Sequence, residues 1–487
     1  MQTTNTITDA NKKHLGKAEW ITYLLAAFFY STMTGMVGSY RNAYLVNVLR
    51  LPESQTSLFN TLTSVIPFIL NFFIAMYIDS RKTGKSGKFR PLVMLVAIPM
   101  GIFLVLSFWA PSALTGTLLM IYLVTVAVAW AVCSNFGNCI NMVAVVMTPN
   151  LKERDSLMSF RSIASAIGNS APLVVVLVIG MLPGFSDNEG LQYIVGAAIC
   201  GVVGIITVLL GMNFARERIT YSSEKKNPVA GYADVMKNKW AWVIIISEFL
   251  KSFRGIANYM GVFLAAALLG STSKFLLFGL PTGIGTAVGM LIIKFLLNKF
   301  NSKVLYIASG IYSVIINTCA FIVGYIYFNN PSAVLQIVFI AFLFLIGLQF
   351  GASNLLPSMF QADVLEDIEY NTGKRLDASL PFVIGIGTMI SGTIASALSP
   401  LILYGDNSII GYIQPSDADP NPAQSLKTKI LMLFFYTIFH GLMMFLACVP
   451  FFAYKLTGER KEKIHEEILR RRESLTKEEA TGEAAEA

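Results

Sequence analysis

Five ionisable side chains stand inside long apolar stretches of this sequence: Arg41, Arg161, Glu248, Lys251 and Arg254. A charge held in hydrocarbon is costly unless it finds a partner, so such residues mark ion or solute pathways. Glu248 and Lys251 are three residues apart and share a helix face, where they either neutralise each other or hold an exchangeable ion. Arg41 and Arg254 have no acid within a helical turn, so an external anion or the oxygens of a solute suit their guanidinium forks. Arg161 has a further outlet, because its long stem can carry its charge to a membrane surface. At ~1.5 Å per residue, Lys251 and Arg254 lie roughly 15–20 Å beyond the interfacial pair Trp240 and Trp242, close to mid-bilayer depth. Neutral hydrogen-bonding groups join them in the same stretches: Tyr30, Ser31, Asn135, Asn138, Asn141 and Asn354. Amides and guanidinium groups grip hydroxyls well, and arginine in excess of acid favours an anionic solute.

Other chemistries have little support. Cys133, Cys139, Cys200, Cys319 and Cys448 are scattered through apolar runs without CxxC spacing, which argues against disulfides and structural zinc. His14 and His465 lie in polar ends and only His440 lies in an apolar run, so no metal site and no cofactor is expected. No phosphate-binding loop, nucleophile elbow or zinc-binding helix is present, and an enzyme is not expected.

The elements that must position these residues follow from composition. The chain has 487 residues, 54% of them hydrophobic and only 14% charged, with a mean hydropathy of +0.61. These values exclude an ordinary soluble protein and leave no room for a separate polar core. Hydropathy predicts an all-α polytopic membrane protein with twelve helices, at about 19–48, 55–79, 91–110, 117–147, 157–182 and 191–214, then 239–269, 274–299, 303–328, 332–362, 377–404 and 429–455. The expected organisation is a polar N-terminal tail over 1–18, a six-helix bundle over 19–214, a linker over 215–238, a second six-helix bundle over 239–455 and a tail over 456–487. Gly285 and Gly289 form a GxxxG spacing that reads as close packing inside a bundle, and a monomer is expected. Other small residues, among them Gly385, Gly387 and Gly392, fit the same purpose.

Charge gives the orientation. The predicted loop SRKTGKSGKFRP carries Arg81, Lys82, Lys85, Lys88 and Arg90, whereas the alternate loops hold only Arg50, Lys274, Lys427 and Lys429. Retention of Lys and Arg on the cytoplasmic side therefore places both termini inside, in the cell membrane. The net charge of +8 is then topological, and no nucleic acid partner is implied. The stretch ERKEKIHEEILRRRES has helical spacing and nearly balanced charge, which reads as a solvated surface helix or a docking element for headgroups or a partner. The last residues, EEATGEAAEA, are expected to be disordered.

Twelve helices as six plus six resembles the major facilitator superfamily, and the loops are more specific. Asp79-Ser80-Arg81 followed by Gly87-Lys88-Phe89-Arg90-Pro91 resembles the loop after helix two of the glycoside–pentoside–hexuronide cation symporters, the melibiose-permease family. Thr148 to Arg154 followed by Ser159-Phe160-Arg161, Arg254-Gly255 with Tyr259, and Ala362-Asp363 with Glu366, Glu369-Tyr370, Gly373-Lys374-Arg375 and Asp377 are similar to further segments of that family, in order along both halves. The resemblance implies a small sugar-like substrate moved by alternating access in a lipid bilayer, with Na⁺ or H⁺ as the coupling ion. Asp79, Arg81, Arg90, Arg154, Asp363, Glu366, Glu369 and Arg375 all fall at predicted cytoplasmic helix ends, and an ionic latch there would hold one transport state.

The sequence departs from that family where the coupling ion should bind. The helix-two carboxylates fall on Pro67 and Asn71, the helix-eleven lysine on Met389, and the sugar-gripping carboxylates of helices one and four near Ser31 and Gly137. Losing the acids and their basic partner together removes a buried charge network without stranding a member of it. Asn71 keeps an amide oxygen that suits Na⁺, and Glu248 is the one deep carboxylate able to carry a proton. The expected substrate is a sugar, glycoside or uronide, with a hexuronide fitting the excess of arginine. Symport with an altered ion site, uniport, transport of an amphiphile and a non-transporting sensor built on the same fold all stay open at this point.

Overall fold

The computed structural model describes residues 13–81, 84, 87–185, 188–218, 228–373, 379–416, 418–419, 422–458, 460–461, 463–464 and 466–467. Every regular element among them is a helix, as a bilayer demands of a chain that must satisfy its backbone polar groups internally. Among the described residues eleven helical spans are long and apolar enough to cross a membrane, and a shorter apolar helix lies at Arg90–Leu106.

The helices are α1 (Lys17–Ala43), α2 (Glu53–Ser80), α3 (Arg90–Leu106), α4 (Gly116–Gly137), α5 (Cys139–Val146), α6 (Leu151–Gly180), α7 (Glu189–Phe214) and α8 (Pro228–Lys237). They continue as α9 (Lys239–Ser252), α10 (Gly255–Leu269), α11 (Leu276–Leu296), α12 (Ser302–Asn329), α13 (Ala333–Thr372), α14 (Ser379–Leu403), α15 (Leu426–Phe434) and α16 (His440–Cys448). A π-helical segment extends α1 over Tyr44–Val48, and another joins α15 to α16 over Phe435–Phe439.

Four features differ from the hydropathy reading, each for a local reason. The single helix expected over 117–147 is interrupted at Asn138, where the amide of Asn141 bonds the Asn138 carbonyl at 3.0 Å in a tightened turn. The helix expected over 239–269 is interrupted at Phe253 and Arg254, whose amides reach back three residues, to Leu250 at 3.3 Å and Lys251 at 3.1 Å. Glycine adjoins both breaks, as Gly137 and as Gly255. The helix expected to end at 362 runs on to Thr372 and stops at Gly373, which adopts a left-handed φ of 68° that favours glycine. Asp363, Glu366 and Glu369 therefore sit on the last turns of α13 rather than in a loop. Finally, the expected linker contains α8.

The described residues gather into two compact units. The first comprises Met1–Glu224, Tyr259–Leu280 and Ser396–Met432. Within it α1 lies against α6 and α7, while α3 packs on α4 and α7. Backbones approach closely there: a Cβ added at Gly168 would lie 2.2 Å from the Phe28 carbonyl oxygen. At the end where α1 begins, the Glu153 carboxylate takes hydrogen bonds from the Thr148 hydroxyl (2.6 Å) and from the amides of His14 and Leu15 (both 3.1 Å). Burial pushes this carboxyl up, but those donors outweigh it and hold its pKa below the usual value.

The second unit comprises Lys225–Asn258, Pro281–Ala395 and Leu433–Ala487. The GxxxG pair of α11 packs inside it, as the sequence suggests, against a second such pair on α13. A Cβ at Gly285 would strike the Phe344 carbonyl and one at Gly351 would strike Gly289. Asn238 caps α9 by accepting from the Trp240 and Ala241 amides at 2.8 and 3.2 Å, and its own amide donates to Asp367 at 2.7 Å. Asn238→Ala removes the cap and leaves Asp367 without its donor. It is expected to cost about 1–2 kcal/mol, read as a lower melting temperature of the detergent-solubilised protein; an unaltered melting temperature would contradict this role.

Candidate functional site

In the first unit the polar groups predicted at mid-membrane converge on the α4–α5 break. Tyr30 lies about 20 Å along α1 from Lys17 at ~1.5 Å per residue, and its ring lies over Gly137. A Cβ at Gly137 would sit 2.6 Å from that ring, so the missing side chain makes room for the tyrosine. The Tyr30 hydroxyl lies 2.7 Å from the Ser134 carbonyl oxygen and 3.0 Å from Asn138 Oδ1. Asn138 is exposed, with its amide oxygen engaged by Tyr30. One turn further, Asn141 Oδ1 accepts from Arg161 Nη1 of α6, and Arg161 Nε has no hydrogen-bond partner among the described residues. Ser31 is buried beside Tyr30 on α1, and Asn135 is half-buried on α4.

Other predicted residues of this unit lie apart from that cluster. Arg41 stands in the last turn of α1 before its π-helical extension, 5.4 Å above the Phe59 ring, where cation–π attraction favours it. Asn71 is half-buried on α2 and makes no hydrogen bond among the described residues. No acid occupies the interior of α2, which contains Pro67.

In the second unit the α9–α10 break carries the charges. Glu248, only 9% exposed, receives Lys251 Nζ at 2.5 Å. Arg254 lies within the break, its guanidinium 5.0 Å above the Phe350 ring of α13. Phe350 in turn meets His440 of α16 edge to face at 5.1 Å, and the buried His440 Nε2 has no hydrogen-bond partner among the described residues. Asn354, exposed, is four residues beyond Phe350 and so shares its face of α13. The result is a guanidinium, an aromatic face and a carboxamide in one patch, whose neighbouring carboxylate is already engaged by lysine. Met389 on α14 is half-buried and accepts only a Thr393 hydroxyl contact at 3.7 Å.

Phe350 was missed by sequence reasoning, since an aromatic in an apolar run carries no signal of its own, and His440 was weighed only as a metal ligand. The breaks were readable in principle, as Gly137-Asn138 and Arg254-Gly255 are turn-forming pairs.

The residues expected to form a latch have the following places. Glu217, after α7, accepts the amides of Lys88 (2.7 Å), Phe89 (2.8 Å) and Arg90 (2.6 Å), which makes the GKFRP stretch a carboxylate cradle at the N-terminus of α3. Gly87, with φ of 96°, is packed against that carboxylate where a Cβ would stand. The Arg90 side chain donates to the Asn213 carbonyl at 3.0 Å. Arg81 follows α2 and Arg154 lies in the first turn of α6. Asp363 is bound at 2.7 Å by Lys461, from the stretch read as a solvated helix, and Ile464 of that stretch is buried in the core of the second unit. Glu366 and Glu369 follow on α13. Arg375 and the side chain of Asp79 lie outside the described residues.

The first unit also holds a polar lattice at the end remote from Lys17. Glu189 accepts from Thr272 at 2.7 Å and from Asn47 at 3.2 Å, Asn47 accepts from Tyr412 at 3.1 Å, and Tyr404 donates to Thr56 at 2.6 Å. A cavity of about 270 Å³ opens beside it, bordered by Asn47, Glu189, Ala266, Tyr412, Gln424 and Lys429.

Comparison with known proteins decides the family: the model described as MFS/sugar transport protein matches residues 22–458. The chain belongs to this family. It is a secondary transporter of sugars that works by alternating access, and not an enzyme. This MFS sugar transport protein is 24% identical to the putative glycoside/cation symporter YagG of Escherichia coli, over 93% of the chain and 91% of that protein. It is 23% identical to a putative sulfoquinovose importer of Salmonella typhimurium, over 84% and 85% of the two chains. Its fold matches the inward open xylose transporter XylE from E. coli with a TM-score of 0.62 at 14% identity, covering 92% of this chain and 98% of that one. The resemblance read from the loops is therefore upheld at the level of the family.

Proposed function

We propose that this protein moves an anionic sugar, a uronide or its glycoside, across the cell membrane as a monomer, with both chain termini in the cytoplasm. The observation that carries the reading is Arg254 stacked over Phe350 one turn from Asn354. A sugar ring stacks on aromatic faces, and a guanidinium fork fits a carboxylate better than a hydroxyl. Arg161, Asn138 and Tyr30 extend the same chemistry, and their hydrogen-bond partners among the described residues are amides, a hydroxyl and carbonyl oxygens rather than carboxylates. The names of relatives support the class: one is a putative glycoside/cation symporter, and another a putative importer of sulfoquinovose, a sugar that bears a sulfonate. Lys and Arg concentrate on the side of Arg81 and Arg90, which supports a cytoplasmic position for that side.

Competition against uptake of a labelled uronide into cells expressing the protein tests this reading. Unlabelled uronides are expected to compete at least about tenfold more strongly than their neutral glycosides, the smallest margin a single charge-assisted hydrogen bond supplies. Stronger competition by the neutral sugars would remove it.

A further inference from the structure

We propose that Lys251 is a built-in substitute for the coupling cation, so that the protein moves its solute without drawing on a Na⁺ or H⁺ gradient. The inference rests on the transport reading above and concerns its driving force. Among the described residues Glu248 lies nine residues inside its span, as far from an end as Asp363 on α13, which Lys461 already holds at 2.7 Å; every other acid on the spanning helices lies nearer an end. Of these two carboxylates Glu248 stands beside Arg254 of the proposed solute site, where a coupling cation would act, and that position is occupied. The Lys251 ammonium sits 2.5 Å from Glu248 Oε1 on the same helix face, with both side chains largely shielded from solvent. A tethered ammonium competes intramolecularly, and a free ion must displace it while the lysine is left charged in a shielded site.

The surroundings act in the same direction. Among the described residues the groups beside the pair include Arg254 at the helix break, Tyr306 of α12, which donates to or accepts from Ser247 at 3.1 Å, and Cys448 of α16, with His440 near Arg254. None of them is an acid. With Arg254 added to the neutral pair the site carries net positive charge, which disfavours a further cation and favours an anionic solute.

Purified protein in liposomes separates the possibilities. Counterflow of a labelled uronide against internal unlabelled uronide reports transport whatever the driving force; absence of counterflow in the unaltered protein would overturn the uronide reading and this assignment with it. The readout for coupling is the ratio of uronide accumulated with a tenfold inward Na⁺ or H⁺ gradient to that without one. The unaltered protein and Lys251→Arg are expected to give a ratio near one. Lys251→Met and Lys251→Gln free Glu248 for an exchangeable ion, and at least one of them is expected to give a ratio rising toward about tenfold, the limit for one ion per solute. Glu248→Gln combined with Lys251→Met is expected to return to one. Accumulation driven by either ion in the unaltered protein would overturn the proposal without any variant, as would ratios near one in both Lys251 variants.

Discussion

Arg254→Gln lowers affinity for a uronide by about 30- to 1000-fold and leaves competition by neutral glycosides within a few-fold of its starting value. The magnitude follows from the loss of a charge-assisted, two-pronged contact. Each hydrogen bond to a charged group contributes ~1.5–3 kcal/mol, and a net loss of about 2–4 kcal/mol corresponds to that range of affinity. The geometry makes the effect selective. The guanidinium is already oriented by the Phe350 face at 5.0 Å, so little freedom is lost when it engages a carboxylate. Arg254→Lys keeps the charge but not the planar fork, and is expected to recover part of the affinity. Competition curves with matched charged and neutral sugars check this; an equal loss for both would mean that Arg254 supports the helix break rather than reading the charge.

Glu189→Ala is expected to raise the labelling rate of a cysteine placed at Ala266 by at least tenfold. Alternating access requires the end of the protein remote from Lys17 to open in one state. The Glu189 carboxylate ties Thr272 and Asn47 together there, and Asn47 also holds Tyr412. These bonds link the ends of α1 and α7 with segments from the second half of the chain, all within the first compact unit. Removing the shared acceptor costs the Thr272 and Asn47 bonds to a charged group, roughly 3–6 kcal/mol before the partners find water, and a longer bond from the Tyr193 hydroxyl at 3.4 Å. A net shift of about 1.4 kcal/mol already moves the open population tenfold. Ala266 borders the cavity beside Glu189, so its exposure reports the opening. A membrane-impermeant maleimide supplies the measurement, and an unaltered rate in Glu189→Ala would show that the lattice does not hold the closed state.

Much of this protein is readable from its sequence because a bilayer leaves the chain few choices. Apolar runs of the length of 19–48 or 191–214 have to be helices, and the loop around Arg81 and Arg90 carries the basic charge on which the proposed orientation rests. The chemistry of helix nine to ten was legible for the same reason: Glu248 and Lys251 at a three-residue spacing are adjacent on any helix, and their ion pair is present at 2.5 Å. What hydropathy does not carry is where a helix gives way. A window that averages 117–147 or 239–269 passes over Asn138 and Arg254, although a single tightened turn at each decides which amides and carbonyls are released. It is equally silent on tertiary partners chosen by shape. Phe350 under Arg254, Gly347 and Gly351 against Gly285 and Gly289, and Lys461 on Asp363 each depend on contacts between residues far apart in sequence. The motif at Gly87–Arg90 reads as a cluster of basic charge, yet its backbone amides do the binding, with Glu217 as their guest.

The central claim is that this sugar transporter recognises a negative charge on its solute. Purified protein in liposomes, given a labelled glucuronide and the neutral glucoside of the same aglycone at equal concentration, tests it most directly. The account predicts saturable counterflow of the glucuronide, suppressed in Arg254→Gln, with the glucoside at least about tenfold weaker. Counterflow of the glucoside equal to or faster than that of the glucuronide would contradict it.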